Sequence, residues 1–464
     1  MRALRVRWVG IAAGLMFCPG PATAQPGAAP PLTLQDAVAQ AVAHYPAVRA
    51  AAAQVAAATA SAAVARDAYL PRADLLWQTN RSTRNNISSL LLPQSVISGI
   101  SGPVSAENAD SIWNNAGGVL VAWEPIDFGY RSRMVRAADS ARHAAGADEA
   151  LTKLQVGAAA GDAFFSVLAA NEAVRAAAAG VERARVLFDV VNARVQSGLR
   201  PGADGARAQA EVAAADAAAA RAEQTAAVAR AELARWLGTT PDQVAIESAP
   251  FLRLPDIGDT NANLATHPRL EAQAARLDGA KASESAAART YVPRLFVDAT
   301  AFARGAGAGA NGAIGGIDGF DLTARNWAVG LNLTFPLLDA PVLRQRHALE
   351  LARAEEATAR LEQTRQDLNA DFAKAQAALV AARRVATLTP AQVDAARAAE
   401  EQARARYGSG LGSIAEVAET ERLLTDAEIS NALAVLSVWR AQLGLAAARG
   451  DLAPLLAAAP TGGR

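Results

Sequence analysis

The sequence predicts a mainly α-helical fold with a membrane β-barrel part, made of long helical hairpins joined to short pairs of strands. Three observations lead there. The chain of 464 residues repeats its own turn motifs at a nearly constant offset. It is rich in alanine and poor in aromatics. The distances between its turn signals leave room for helices far longer than a compact domain can use.

Hydrophobic residues make up 52 %, but alanine inflates that share, and aromatics are only 5 %. Alanine is the strongest helix former because it loses no side-chain entropy, and alanine-rich helices can approach closely. Long, slender helices follow. The 45 basic and 45 acidic residues balance, which removes the electrostatic case for nucleic acid. At the N-terminus, Arg2, Arg5 and Arg7 precede an apolar stretch from Trp8 to Cys18. A break at Pro19-Gly20-Pro21 and the small-x-small Ala22-Thr23-Ala24 follow. Residues 1–24 therefore read as a secretory signal, with the mature chain starting at Gln25. The apolar run is shorter than the roughly 18 residues a membrane anchor needs. Cys18 is the only cysteine, and Met16 and Phe17 before it do not fit a lipidation site. The mature chain is expected to hold no disulfide and no membrane-spanning helix, so membrane insertion has to be as a barrel.

Tyr69-Leu70-Pro71-Arg72 recurs as Tyr291-Val292-Pro293-Arg294, 222 positions on (291 − 69). His44-Tyr45-Pro46 is echoed by Thr266-His267-Pro268 at the same offset. Ala193-Arg194 with Gly198-Leu199 recurs as Ala405-Arg406 with Gly410-Leu411, now 212 positions on (410 − 198). The second half is thus ten residues shorter in the stretch matching Arg72 to Asp127. The halves are expected at residues 25–250 and 251–453, with a flexible C-terminal tail at 454–464. Each runs helix, strand pair, long helix, Gly-Leu turn and returning helix. The first helix opens at Thr33 and continues to about Asp67, where the Tyr-x-Pro-Arg turn stops it. From Tyr130 to Gly198 the long helix spans roughly 100 Å, and the helices 34–68 and 203–236 roughly 50 Å each. Two short helices end to end match one long one, and the second half is expected to repeat this within a turn or two. Trp327, Val329, Leu331, Leu333 and Phe335 alternate with Asn326, Ala328, Gly330, Asn332 and Thr334, the pattern of a lipid-facing barrel strand with aromatic ends. Gly117, Val119, Val121 and Trp123 alternate less cleanly with Gly118, Leu120, Ala122 and Glu124. A soluble antiparallel sheet shows the same alternation. A compact domain, however, has no use for a helix of this length, whereas a tube wall does.

Leu32-Thr33-Leu34-Gln35-Asp36-Ala37 with Tyr45-Pro46, the two Tyr-x-Pro turns, the strand exit Trp123 to Gly129 and both Gly-Leu tips resemble the TolC family of outer-membrane efflux proteins. The resemblance covers nearly all of the mature chain. It implies a passive duct of the outer membrane extending into the periplasm, not an enzyme. The family's form is a homotrimer, with a twelve-stranded barrel in outer-membrane lipid above a periplasmic α-barrel. It works with a periplasmic adaptor and an inner-membrane transporter in small-molecule efflux, and type I protein secretion uses the same kind of subunit. A periplasmic adaptor or a coiled-coil spacer would also hold long hairpins, but an adaptor would show one hairpin between lipoyl-like β segments. The chain itself shows why association is needed: four strands cannot close a barrel, and lipid tolerates no open edge.

The resemblance places Glu416 and Glu419, three apart on one helix face, around the periplasmic pore mouth as a charged ring. By pattern alone they also read as an ordinary solvated face. Tyr407 and Asp204 match the family's closed-state hydrogen-bonding pair. Gly412 stands where the family's lock includes an arginine, and Arg207, the repeat counterpart of Glu419 (419 − 212), is the candidate substitute. Gly198, Leu199, Gly410 and Leu411 fall where the family meets its adaptor; they equally read as helix C-caps, since glycine permits the reversal. His44, His143, His267 and His347 lack ligand spacing. The glycines from Gly305 to Gly316 lack a phosphate-loop context and read as a loop between barrel strands. No metal, cofactor or catalytic site is expected.

Overall fold

The computed structural model describes residues 32–83, 111–198, 201–246, 249–255, 263–306 and 320–460. The signal segment 1–24, Leu199 and the glycine-rich stretch 307–319 lie outside them. The chain runs α1 (Leu34–His44), α2 (Pro46–Asp67), β1 (Arg72–Thr83), β2 (Ser111–Ile126), α3 (Tyr130–Gln196) and α4 (Gly202–Leu237). It continues through α5 (Pro268–Ala287), β3 (Arg294–Ala306), β4 (Ala324–Thr334), α6 (Ala340–Gly408), α7 (Ile414–Arg449) and α8 (Ala453–Ala458).

α1 starts where expected, with the Thr33 hydroxyl accepting the Asp36 N–H at 3.1 Å and so satisfying a free donor of the first turn. The helix does not continue to Asp67. Pro46 holds Tyr45 extended (φ −65°, ψ 130°) because its ring clashes with a helical residue before it, and α2 begins afresh from the proline. The second half breaks in the same way at His267 and Pro268. The counterpart of α1 there, 256–266, is described only from residue 263, and that part forms a 3-10 turn, Leu264–Thr266. Among the described residues the end-to-end match of short and long helices therefore holds in the first half only: α5 and α7, 20 and 36 residues, fall well short of the 69 of α6.

The strands form one antiparallel sheet in the order β1-β2-β3-β4. The helices leading into or out of them, α2, α3, α5 and α6, pack side by side in the same order; toward the tips the order becomes α4, α3, α7, α6. The result is a wall one helix thick, roughly 100 Å long by the 67 residues of α3. Register puts Leu75, Val119, Ala301 and Trp327 in one row and Leu331 and Leu333 on the same face, where the large side chains are exposed. Arg72, Asp74, Asp298 and Thr300 occupy the opposite face. The alternation expected for both strands is present.

The wall is thickest near the middle of α3. Phe164, Phe165 and Leu168 are fully buried with Leu34, Leu233 and Leu436; Phe251 meets both phenylalanines and Trp439 edge-on, and Trp439 stacks on Phe165. Gly157 and Gly161 on α3 make room for this: a Cβ at either would stand 2.9 Å from a methyl of Leu452 or Leu443. The expected flexible tail is corrected here. Residues 453–458 are α8, and Leu455 and Ala459 are buried in this core together with Leu452, whose methyl occupies the space that Gly157 leaves; only 461–464 of the tail lie outside the described residues. A second expectation also changes. α2 and α3 each contain an 18-residue stretch long and apolar enough to cross a membrane. Alanine supplies that apolarity, and nearly half of the α3 stretch is buried against neighbouring helices.

Candidate pore-lining residues

The tip between α6 and α7 is built from backbone. Gly410 adopts a left-handed conformation (φ 83°) and donates to the Tyr407 carbonyl at 3.2 Å, while Leu411 donates to Arg406 at 2.9 Å. This pair of bonds closes the helix end and needs glycine at the reversal. Gly412 also donates to the Arg406 carbonyl, at 3.1 Å. A Cβ at Gly412 would stand 3.0 Å from the Tyr407 nitrogen and 3.1 Å from Arg406 Cβ, so this turn is too close to the helix to carry a larger residue without shifting. Ser413 caps α7, accepting the Glu416 N–H at 3.3 Å. Leu411 is 76 % exposed. The α3–α4 tip reverses likewise at Gly198 (φ 74°).

Glu416 and Glu419 follow the second tip. Each has a cation of its own chain nearby: Arg406 lies 3.6 Å from Glu416, and Arg422 lies 3.2 Å from Glu419, whose side chain remains 76 % exposed. Arg207 is exposed on α4 and makes no ion pair among the described residues. Tyr407 is buried with Leu187, Val191, Ala208, Ile414 and Val417. Asp204, one turn before Ala208, is half-buried in the first turn of α4.

Three arginines that sequence reasoning did not single out tie this region together. Arg194, in the last turn of α3, donates to the carbonyls of Tyr407 (3.2 Å) and Gly408 (3.3 Å) at the end of α6. Its guanidinium lies 5.6 Å from the Tyr407 ring. Arg183 donates to the Thr425 hydroxyl at 2.7 Å and to Glu428 at 3.3 Å, joining α3 to α7. Arg404 bridges two buried carboxylates, Glu400 at 2.7 Å and Glu421 at 2.9 Å. Burial pushes the Glu421 carboxyl above its usual range, against the opposing pull of Arg404.

At the other end of the wall, Arg131 joins sheet to helix. It is buried, donating to the Asp127 carboxylate (2.9 Å), the Ala68 carbonyl (2.9 Å) and the Glu124 carbonyl, and it lies over the Tyr69 ring. Nearby, Arg294 grips the Glu124 carboxylate with two bonds of 2.8 and 2.6 Å. Among the described residues no group of side chains has the make-up of a metal site.

The comparisons with known proteins fit this architecture. The profile of the outer membrane efflux protein family matches residues 37–239 and 261–451. Protein CyaE of Bordetella pertussis is 29 % identical over 438 residues, covering 91 % of this chain and 84 % of that protein. The pyoverdine export outer membrane protein OpmQ of Pseudomonas putida is 28 % identical over 327 residues, 69 % of this chain and 66 % of that one. The fold matches that of the Campylobacter jejuni CmeC outer membrane channel with a TM-score of 0.75, over 90 % of this chain and 85 % of that one, at 17 % identity. The exposed apolar band of the sheet is therefore the lipid-facing side of an outer-membrane barrel, and the helical wall is periplasmic. The chain belongs to the outer membrane efflux protein family, whose members are trimeric, TolC-type channels acting with adaptors and inner-membrane pumps.

Proposed function

We propose that this chain forms the exit duct of a small-molecule efflux system, with Glu416 and Glu419 ringing its periplasmic mouth and the two tips receiving a periplasmic adaptor coupled to an inner-membrane pump. The carrying observation is the second tip. It presents the exposed Leu411 beside two carboxylates in the first turns of α7, and three copies would bring six carboxylates around one opening. Arg406 and Arg422 lower that charge without cancelling it, since Glu419 keeps most of its surface in water. In the closed state Asp204 and Tyr407 act between neighbouring helices. Arg207 meets the acidic face of the adjoining subunit, in place of the arginine that Gly412 excludes.

Support for the adaptor comes from a groove of about 290 Å³ where α4 and α7 diverge over α3. Ala173, Ala177, Gly180 and Ala184 of α3 line it, with Glu421 and Asp426 of α7. Small residues there allow a partner helix to approach closely. The relative OpmQ is named for pyoverdine export, which favours a small-molecule cargo. The test is reversal potential across planar bilayers holding the purified protein. The wild type is expected to prefer K⁺ over Cl⁻, and the double variant Glu416→Gln, Glu419→Gln to lose most of that preference. An unchanged permeability ratio would remove these residues from the mouth.

A further inference from the structure

We propose that Leu76, Leu120 and Phe302 form an apolar collar inside the exit barrel that holds the apolar body of an amphipathic cargo molecule in transit. The barrel then sorts cargo by apolarity rather than by sign of charge. This rests on the duct reading above.

The face opposite the exposed Trp77 and Trp327 is the lumenal one, and register lays its residues out in rows across the strands. One row reads Leu76, Gly118, Phe302 and Asn326; the neighbouring row reads Asp74, Leu120, Thr300 and Ala328. Leu120 is thus diagonal to both Leu76 and Phe302, within reach of large side chains. On the far side the next row brings Gln78 and Arg304. Three large apolar side chains form one patch, with small or polar residues in the rest of its two rows. It spans three strands, on the order of 10 Å, about the width of a fused or substituted aromatic ring system.

Gly118 shows that the patch is built around Phe302. A Cβ on Gly118 would stand 2.4 Å from Phe302 Cβ and 2.6 Å from the Ala301 carbonyl oxygen, so only glycine lets β3 bring Phe302 so close. Leu76 is 40 % exposed, an apolar surface facing the water of a channel with no folding benefit in that position. Phe296, another large apolar residue of this face, lies three rows from Phe302, beneath the Arg294 guanidinium.

The lumenal charges meanwhile neutralise one another. Arg72 pairs with Asp74 at 2.9 Å and Arg294 with Glu124 at 2.6 Å, and the Asn332 amide donates to Asp298. Arg72, Arg294 and Arg304 stand against Asp74, Glu124 and Asp298, so a cargo ion of either sign meets no rejecting row.

The experiment uses the full-length protein as purified trimer in planar bilayers, with KCl current as readout. Tetraphenylphosphonium and tetraphenylborate, two ions of opposite charge and like apolar body, are expected to block the wild-type current reversibly. Tetramethylammonium is expected to leave it unchanged. Each collar contact removes on the order of 50 Å² of apolar surface from water, so Phe302→Asn is expected to weaken both blocks about tenfold. Leu76→Thr, on the edge strand and outside the close approach of Gly118 to Phe302, is expected to weaken both about threefold, and serves should the first variant fail to assemble. Tetraphenylborate carries the wrong charge for the acidic mouth, which separates the two sites. Equal block in wild type and variants, or block by one sign only, overturns the collar. Absence of any KCl current from the wild-type trimer overturns the duct reading itself.

Discussion

Replacing Arg194 with methionine keeps the apolar stem of the side chain and removes its donors. The two carbonyls it serves, Tyr407 and Gly408, belong to the last turn of α6, where helix carbonyls lack intrahelical partners. A cation there also complements the negative helix end. Bonds from a charged donor are worth about 1.5–3 kcal/mol each when well formed. These are long, at 3.2 and 3.3 Å, and Tyr407 already accepts from Gly410, so about 1 kcal/mol apiece is the appropriate weight. The loss is then about 2 kcal/mol, or about thirtyfold in the equilibrium for opening the α6–α7 tip away from α3. Hydrogen exchange on the trimer reads this directly. The amides of Leu411 and Gly412, both bonded to the Arg406 carbonyl, are expected to exchange about thirtyfold faster in Arg194→Met, with more frequent opening in single-channel records. If exchange at these amides stays within twofold of wild type, α3 does not hold the tip and the reasoning fails.

Arg131→Met leaves the Asp127 carboxylate in a largely enclosed site without its cation; about 3–5 kcal/mol of stability is expected to go, read as a lower melting temperature of the trimer. Glu421→Gln tests the buried carboxylates. A carboxyl whose pKa is higher folded than unfolded binds its proton more tightly in the folded state. The stability it contributes therefore falls as pH rises through the window above the ordinary 4.5 and returns on acidification. After correction for intrinsic rates, exchange along 417–428 in the wild type is expected to slow between about pH 7 and about pH 5, a slope that Glu421→Gln flattens. A slope unchanged in the variant assigns it to other groups.

Much of this fold is legible in the chain. The offsets of 222 and 212 and the alternation of Trp327 to Phe335 place strands and hairpins because turn residues and period-two patterning are local. The break at Tyr45 was also written, in Pro46, but alanine on both sides made one helix the simpler reading. α8 was not legible: Leu452 is ordinary until Gly157, about 300 residues earlier, is seen to leave the space its methyl fills, with Leu455 buried in the same core. The tip shows the same limit. Glu416 and Glu419 stood out by position, yet Arg183, Arg194 and Arg404 did not. A chain this rich in Arg and Glu places charges at helical spacing everywhere, and only burial and a partner on another helix tell the few that matter. An arginine in the last turn of α3 was the available signal.

The edges of the wall show why one operation can close both ends of the duct. β1 and β4 are the outer strands of the sheet, so each presents unpaired backbone groups that lipid does not tolerate. The outer helices carry the same liability in apolar form. Val380, Val385 and Leu388 are exposed on α6, and Val64 and Val228 on α2 and α4 at the opposite margin. The strand order equals the order of the helices packed beneath. A rotation that pairs β4 of one copy with β1 of the next therefore also brings α6 against α2 and α4. Such a head-to-tail contact buries nothing twice and closes only as a ring. At three copies the sheet reaches twelve strands, and the acidic tips and the lumenal row of Leu76 and Phe302 come to lie around one axis. The pore-lining role proposed above for both rests on that closure, which the exposed edges demand.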